Sequence, residues 1–322
     1  MNYRSIYFYN LRIHSAAFKP LPNHTKSIIA KPFLKWAGGK TQLIPAIEKY
    51  LPENIKTLQD LTYVEPFIGS GAVFFWFIQN FEVKEAIIND VNADLINVYH
   101  SIKESPKELI YLLEDIQNQY YALLNDEVKK NYFLEKRKLF NSKSEADIIN
   151  AALFIFLNRT CFNGLYRVNK KNEFNVPFGR YARPKICNET NILAISKLLQ
   201  KVTILNGDYE STLNFASHNA FFYFDPPYKP ISKTASFNAY ATGDFNDIEQ
   251  KRLALFTENL TLRNKFWLLS NSDPKNINAD DDFFDQLYDK PENTIFRVKA
   301  KRMINSNATK RGEINEILIM NY

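Results

Sequence analysis

The sequence predicts an open α/β sheet of about seven strands, mostly parallel, interrupted by a mainly helical insertion. Three observations carry that prediction. From residue 62 onward, short apolar runs bounded by turn residues alternate with longer segments of helical period. Over residues 105–160, three helical patterns follow one another with no strand between them. The 322 residues, 45% hydrophobic and 24% charged, suffice for one large or two modest domains with a sizeable core.

Taken in order, the strands are expected at Thr62–Phe67, Ala86–Asn89, Val202–Asn206, Ala220–Phe224, Lys265–Ser270, Thr294–Lys301 and Ile314–Met320. Helical periods over Ala93–Lys103 and Asn191–Leu199 supply crossovers of the kind parallel strands need. The last two strands are separated by a polar loop and are expected to pair antiparallel at a sheet edge. Pro106–Leu124, Asp126–Asn141 and Glu145–Asn158 form the helical insertion, with Ser105 and Ser144 as expected N-caps. A polar, aromatic stretch over 159–185 completes it. There is no internal repeat and no low-complexity segment.

Charge narrows the partner. The net charge is +6 and the isoelectric point is near 9.0. The excess is clustered: seven basic residues and one acid lie between Arg159 and Lys185, and six basic residues with no acid between Arg297 and Arg311. The first cluster is interleaved with aromatics, as nucleic-acid grooves are. Two cysteines without a CxxC pair argue against a disulfide framework or zinc site and fit a reducing cytosol. No run is long enough for a membrane helix, and the first 30 residues lack a signal-peptide pattern.

Four stretches carry chemistry. YVEPFIGSGAVFF (63–75) is a strand that turns into a helix through Gly69 and Gly71, which lets a ligand approach the backbone and the orphan N–H groups of the helix start. Its spacing is not that of the dinucleotide fingerprint GxGxxG. AIINDVNADL (86–95) places Asp90 at the end of the next strand. An acid there accepts hydrogen bonds from ribose hydroxyls or caps the following helix, and the preceding glycine turn favours the ribose. KPFLKWAGGKTQL (31–43) ends like a phosphate loop, but Leu34 stands where that loop needs glycine. Trp36 and Lys40 are instead expected to line a pocket, the ring covering a ligand and the ammonium meeting a carboxylate. FFYFDPPYKP (221–230) is a strand buried on both faces that ends in Asp225, Pro226, Pro227 and Tyr228. The carboxylate and a fixed prolyl carbonyl make two acceptors, which suit an exocyclic NH₂ group, and Tyr228 offers a stacking face.

FLKWAGGK, EPFIGSG, NDVNADL, NRTCFNGLYR, EFNVPFGRY and DPPY, in that order, resemble the Dam-type DNA adenine-N6 methyltransferases of the D12, or α, group. The resemblance runs from about Lys31 to Tyr322. It implies a Rossmann-like, S-adenosylmethionine-dependent methyltransferase domain over 31–104 and 186–322. A target-recognition domain with a DNA-contacting hairpin would occupy 105–185, and residues 1–30 would be an N-terminal extension. It implies cofactor contacts at Trp36, Lys40, Phe67, Gly69, Gly71, Asp90, Asp208, Tyr209 and Asp225. The catalytic motif would be Asp225, Pro226, Pro227 and Tyr228, with Tyr228 stacked on a flipped adenine and no metal required. In the hairpin, Phe162 would wedge into the base stack, Asn163 touch a phosphate, Arg167 read a guanine edge, and Leu165 and Pro177 pack near a thymine methyl. Lys35 would contact the first guanine of GATC. The wedge position of the family often holds Tyr, so Phe162 keeps the stacking and loses a hydroxyl contact. The expected partner is double-stranded DNA, bound by a monomer that acts alone or beside a cognate restriction endonuclease. A cytosine-N4 methyltransferase and a non-catalytic DNA-binding module are the competing readings.

Overall fold

The structure, a computed structural model, describes residues 29–36, 40–228, 245–301 and 313–322. A short 3-10 turn, Lys40–Gln42, leads into α1 (Ile44–Lys49). There follow β1 (Thr62–Glu65), α2 (Ala72–Asn80), β2 (Glu85–Asp90) and α3 (Ala93–Glu104). Next come α4 (Pro106–Ala122), α5 (Asp126–Ser142) and α6 (Asp147–Thr160), with no strand between them. The chain returns to the sheet through α7 (Glu189–Leu199), β3 (Val202–Asn206) and β4 (Ala220–Phe224). It finishes with α8 (Asp247–Leu262), β5 (Phe266–Ser272), α9 (Phe283–Leu287), β6 (Thr294–Lys301) and β7 (Glu313–Met320).

The seven strands form one mixed sheet in the order β3-β2-β1-β4-β5-β7-β6. β1 to β5 are mutually parallel, and β7 runs antiparallel between β5 and β6. The expected antiparallel edge pair is present, with the later strand on the inside. Successive strands step outward from β1 in one direction and from β4 in the other. The reversal opens a crevice at the carboxyl ends of β1 and β4, where open α/β sheets bind ligands.

Side-chain alternation divides the core in two. Phe221 and Tyr223 of β4 join a cluster that also holds Tyr63, Phe77, Leu95 and the buried face of α6. Phe222 and Phe224 join the opposite cluster, with Trp267, Leu269, Ile317 and α8 residues Leu253 and Phe256. Burial of all five β4 residues accounts for the unbroken apolar run AFFYF. α4, α5 and α6 share the first cluster with the sheet, so the insertion is seated on α3 and α7 through one continuous apolar interior.

Several boundaries differ from expectation. β1 stops at Glu65 because the chain turns at Pro66. Ser144 is not a cap: α6 starts at Asp147 behind Ala146, and the Ser144 hydroxyl pairs with that of Ser142 at 2.8 Å. Ser105 does stand at the start of α4, without a side-chain capping bond. Its backbone instead closes α3, its N–H reaching Ser101. Gly38, Gly39 and all but the last residues of the 1–30 extension lie outside the described residues, as do residues 302–311 of the second basic run. The first residue of that run, Arg297, is engaged internally by Asp273 and Asp285.

Candidate active site and nucleic-acid interface

The β1–α2 turn is built for close approach. Gly71 has φ +73° and Gly69 φ +46°, conformations that cost a side-chain-bearing residue about 1–2 kcal/mol. A Cβ on Gly69 would stand 3.0 Å from Trp36 Nε1, and one on Gly71 2.8 Å from the Tyr99 hydroxyl. That hydroxyl donates to the Gly69 carbonyl at 3.0 Å, tying the turn to α3. Asn89 Nδ2 donates to the carbonyls of Pro66 and Gly207, both at 3.0 Å, so one buried amide joins the loops after β1 and β3.

Asp90 ends β2 and accepts from Gly69 N–H at 3.1 Å and from Asn92 N–H at 3.0 Å. The cap of α3 is Asn92, whose side chain accepts from Leu95 N–H. Asp90 is therefore free of the capping role that sequence alone left open. Burial raises the pKa of its carboxyl, against the N–H donors that favour its charged form.

At the end of β4 a charged group forms around Lys40. Its ammonium lies 3.0 Å from Asp225 Oδ1, 3.6 Å from Glu316 Oε2 and 4.0 Å from the centre of the Tyr228 ring. The Tyr228 hydroxyl donates to Glu316 Oε2 at 3.0 Å. Ser270 stands behind, 2.8 Å from the Tyr223 hydroxyl and 3.5 Å from Asp225 Oδ1. Burial pushes the Asp225 carboxyl up to about 6; Lys40 pulls it down and Glu316 adds to the rise. Glu65, at the end of neighbouring β1, is held well above the usual carboxylate range by burial and by Asp225, while the Tyr63 hydroxyl opposes the shift from 2.5 Å. Gln250 of α8 is fully buried and donates to the Pro227 carbonyl at 3.2 Å, which fixes the Pro-Pro corner from below.

Phe67 leads away from the crevice into an aromatic wall, 5.2 Å from Tyr209 and 5.6 Å from Phe245 between ring centres. The Tyr209 hydroxyl is buried without a hydrogen-bond partner among the described residues. Asp208 caps the 3-10 turn Tyr209–Phe215 through Glu210 N–H and is paired with Arg252 at 2.7 Å. Burial works to raise its pKa, but Arg252 outweighs that and holds it below the ordinary value.

The basic stretch after α6 folds back on itself through antiparallel bridges Cys161–Phe178 and Val168–Phe174. Phe162 is half exposed at its base; its N–H donates to the Pro177 carbonyl and its carbonyl accepts from Leu165 N–H, which gathers those three positions. Pro177 is exposed and Leu165 half-buried. Asn163 takes φ +55° and donates its N–H to the Tyr181 hydroxyl. Arg167 Nε and Nη2 are occupied by Asn175, at 2.7 and 3.3 Å, and its other N–H groups carry no hydrogen bond among the described residues. Lys35 lies beside this hairpin with its ammonium 4.3 Å from the Tyr181 ring centre.

The join between hairpin and crevice is Asn158, which the sequence did not single out. Its Oδ1 accepts from Lys35 N–H at 2.9 Å, and its Nδ2 donates to the carbonyls of Lys35 at 2.7 Å and Gly164 at 3.0 Å. The next residue, Trp36, stacks on Tyr166 with ring centres 5.8 Å apart. Glu316, Ser270 and Gln250 were missed as well. An acid inside EINEILIM was the available signal for Glu316. Among the described residues, no cluster of His, Cys, Asp or Glu could hold a metal ion, and no helix is long and apolar enough to cross a membrane.

Comparison with known proteins gives a concordant result. Residues 36–304 match the model of the D12 class N6 adenine-specific DNA methyltransferases. The chain is 48% identical to the type II methyltransferase M.MjaIII of Methanocaldococcus jannaschii, covering 91% of this chain and 99% of that protein. It is 37% identical to the type II methyltransferase M1.LlaDCHI of Lactococcus lactis subsp. cremoris, over 91% and 95% of the two chains. It is 33% identical to the DNA adenine methylase of Haemophilus influenzae, over 96% and 97%.

Proposed function

This chain belongs to the D12 class N6 adenine-specific DNA methyltransferases, and from that premise we propose that it methylates the adenine of GATC in duplex DNA, using S-adenosylmethionine. The observation that carries the reading is the juxtaposition of Asp225, Lys40, Tyr228 and Glu316 at the switch point of the sheet, beside the Gly69–Asp90 turn.

The residues present fit that cofactor. The turn at Gly69 and Gly71 has no room for side chains, so Trp36 and the backbone that meets Asp90 stay close together. Asp90 retains acceptor capacity for ribose hydroxyls beyond its two N–H donors. The Phe67–Tyr209–Phe245 wall suits a flat heterocycle. Glu65 and Asp225, both disfavoured as buried anions, suit a cationic ligand. Trp36, Lys40, Phe67, Gly69, Gly71, Asp90, Asp208, Tyr209 and Asp225 would hold the cofactor, which when bound supplies an electrophilic methyl group on a sulfonium.

The chain's own residues do the rest. An adenine amine is a poor nucleophile because its lone pair is delocalised into the ring. Asp225 and the Pro226 carbonyl accept its two N–H groups and draw the nitrogen toward tetrahedral geometry, which withdraws the lone pair from conjugation. Asp225 then stabilises the positive charge that develops on nitrogen, and the surplus N6 proton leaves during or after the transfer. It orients and does not deprotonate the amine beforehand, since a carboxylate of pKa about 6 is far too weak a base for that. A base inside a duplex cannot reach this crevice, so the adenine is flipped and Tyr228 stacks on it. Residues 31–104 and 186–322 act as the catalytic domain and 105–185 as the target-recognition domain. Phe162 fills the vacated stack, Arg167 and Lys35 read guanines, Leu165 and Pro177 meet the thymine methyl, and Asn163 contacts a phosphate. The type II names of two relatives favour service beside a cognate restriction endonuclease.

The test is to incubate purified protein with duplex DNA and S-adenosylmethionine. Mass spectrometry of the nucleosides should show N6-methyladenine, and methylation-sensitive nucleases should leave GATC sites uncut. DNA without the modified base refutes the transfer; modified DNA with unprotected GATC refutes the site.

A further inference from the structure

We infer that Glu316 is a positioning residue for the proposed reaction and acts through the hydroxyl of Tyr228. The inference rests on the reading of Tyr228 as the stacking face. β7 lies antiparallel to β5 with Glu316 opposite Ser272, which brings an acid from far along the chain to the crevice. Its carboxylate is mostly buried, and Oε2 takes the Tyr228 hydroxyl at 3.0 Å and lies 3.6 Å from the Lys40 ammonium.

A tyrosine after a Pro-Pro corner has a fixed origin but two free side-chain torsions. Anchoring the hydroxyl on a carboxylate removes that freedom through a charge-assisted hydrogen bond. The Lys40 ammonium, 4.0 Å from the ring centre, covers one face of the ring. Held at its hydroxyl and at that face, the ring has its tilt set before any base arrives. Pre-setting the ring spares the ordering cost at the moment of capture. Glu316 gains nothing by standing near Asp225, since like charges repel; the shared ammonium and the tyrosyl hydroxyl are what hold it there.

The experiment compares wild type, Glu316→Ala, Glu316→Gln, Tyr228→Phe and the Tyr228→Phe/Glu316→Ala double variant. Each is assayed for turnover, KM for DNA and thermal unfolding. Each is also mixed with a duplex carrying 2-aminopurine at the target adenine, whose fluorescence reports flipping. Glu316→Ala is expected to lower turnover at saturating DNA about tenfold, the scale of one lost charge-assisted hydrogen bond. It should leave KM for DNA within about threefold and diminish the 2-aminopurine signal. Tyr228→Phe should behave alike, and the double variant no worse than either single one. Glu316→Gln, whose amide oxygen still accepts the hydroxyl, should recover to within about threefold of wild type. Losses that multiply in the double variant, or an unrescued Glu316→Gln, overturn the inference. If Glu316→Ala fails to fold, Tyr228→Phe and Glu316→Gln still decide it. Wild type that forms no N6-methyladenine defeats the functional reading and the inference with it. Active wild type beside an unimpaired Glu316→Ala defeats the inference alone.

Discussion

Replacing Asp225 by Asn is expected to make the protein more stable while abolishing its activity. The Asp225 carboxyl is pushed from an ordinary 3.8 to about 6 by burial, even with the Lys40 ammonium 3.0 Å away. That rise of roughly two pH units, at about 1.36 kcal/mol each, is a cost of roughly 3 kcal/mol for carrying the charge in the folded state. The sign follows from linkage. Because the folded pKa lies above the unfolded one, the native state holds a proton that the unfolded chain has released. The contribution of this group to stability is therefore greatest below about pH 4, falls as the pH rises to about 6, and stays lower above that. Asn imitates the protonated acid at every pH. Asp225→Asn should then exceed wild type by up to about 3 kcal/mol at pH 8, or about 4 °C in Tm for a chain of 322 residues. The gain should shrink through pH 6 and vanish near pH 4. Methyl transfer should fall by roughly two orders of magnitude or more, because an amide oxygen carries no full charge to meet the developing cation. Wild-type turnover should itself decline below about pH 6 as Asp225 takes up its proton. Calorimetric unfolding at several pH values, paired with radiolabelled methyl transfer, measures both arms. A variant that melts at or below wild type at pH 8, or whose gain does not depend on pH, would refute the reasoning.

The other expectations are simpler. Gly71→Ala adds a Cβ at φ +73° and 2.8 Å from the Tyr99 hydroxyl, so it should cost at least about 1–2 kcal/mol and weaken S-adenosylmethionine binding by calorimetry. Asn158→Ala strips partners from the backbone of Lys35 and from Gly164, for a loss of roughly 2–3 kcal/mol in urea unfolding and weaker binding of a fluorescent GATC duplex. Arg167→Ala should cost about 1–3 kcal/mol of discrimination at a single base pair, read by comparing methylation of GATC with its single-base neighbours.

The end of β4 proposed as catalytic was legible in the sequence because its logic is local: an unbroken apolar strand, an acid and two prolines in consecutive positions. The glycine turn and Asp90 were legible for the same reason. What sequence did not reveal depends on register and closure. Glu316 meets Tyr228 only because β7 inserts beside β5, and nothing near residue 316 announces that partner. Asn158 lay inside a recognised motif, yet its work is done on the backbone of Lys35, across the width of the insertion. Ser144 looked like a helix cap, but the helix begins three residues later at Asp147, and the Ser144 hydroxyl pairs with Ser142. Arg297 opened a basic run and proved to be paired with Asp273 and Asp285, since its position on β6 faces two acids from the preceding loop and α9.

The cluster around the Lys40 ammonium draws its members from the segment before β1, the corner after β4 and the middle of β7. No contiguous fragment of the chain carries all three. Contacts so distant in sequence carry a loop-closure cost that nearby contacts do not. An unfinished molecule with β4 paired and β7 still loose has its acid and its proline corner but no anchored ring. The anchored ring is thus a property of the whole closed sheet and of no single motif.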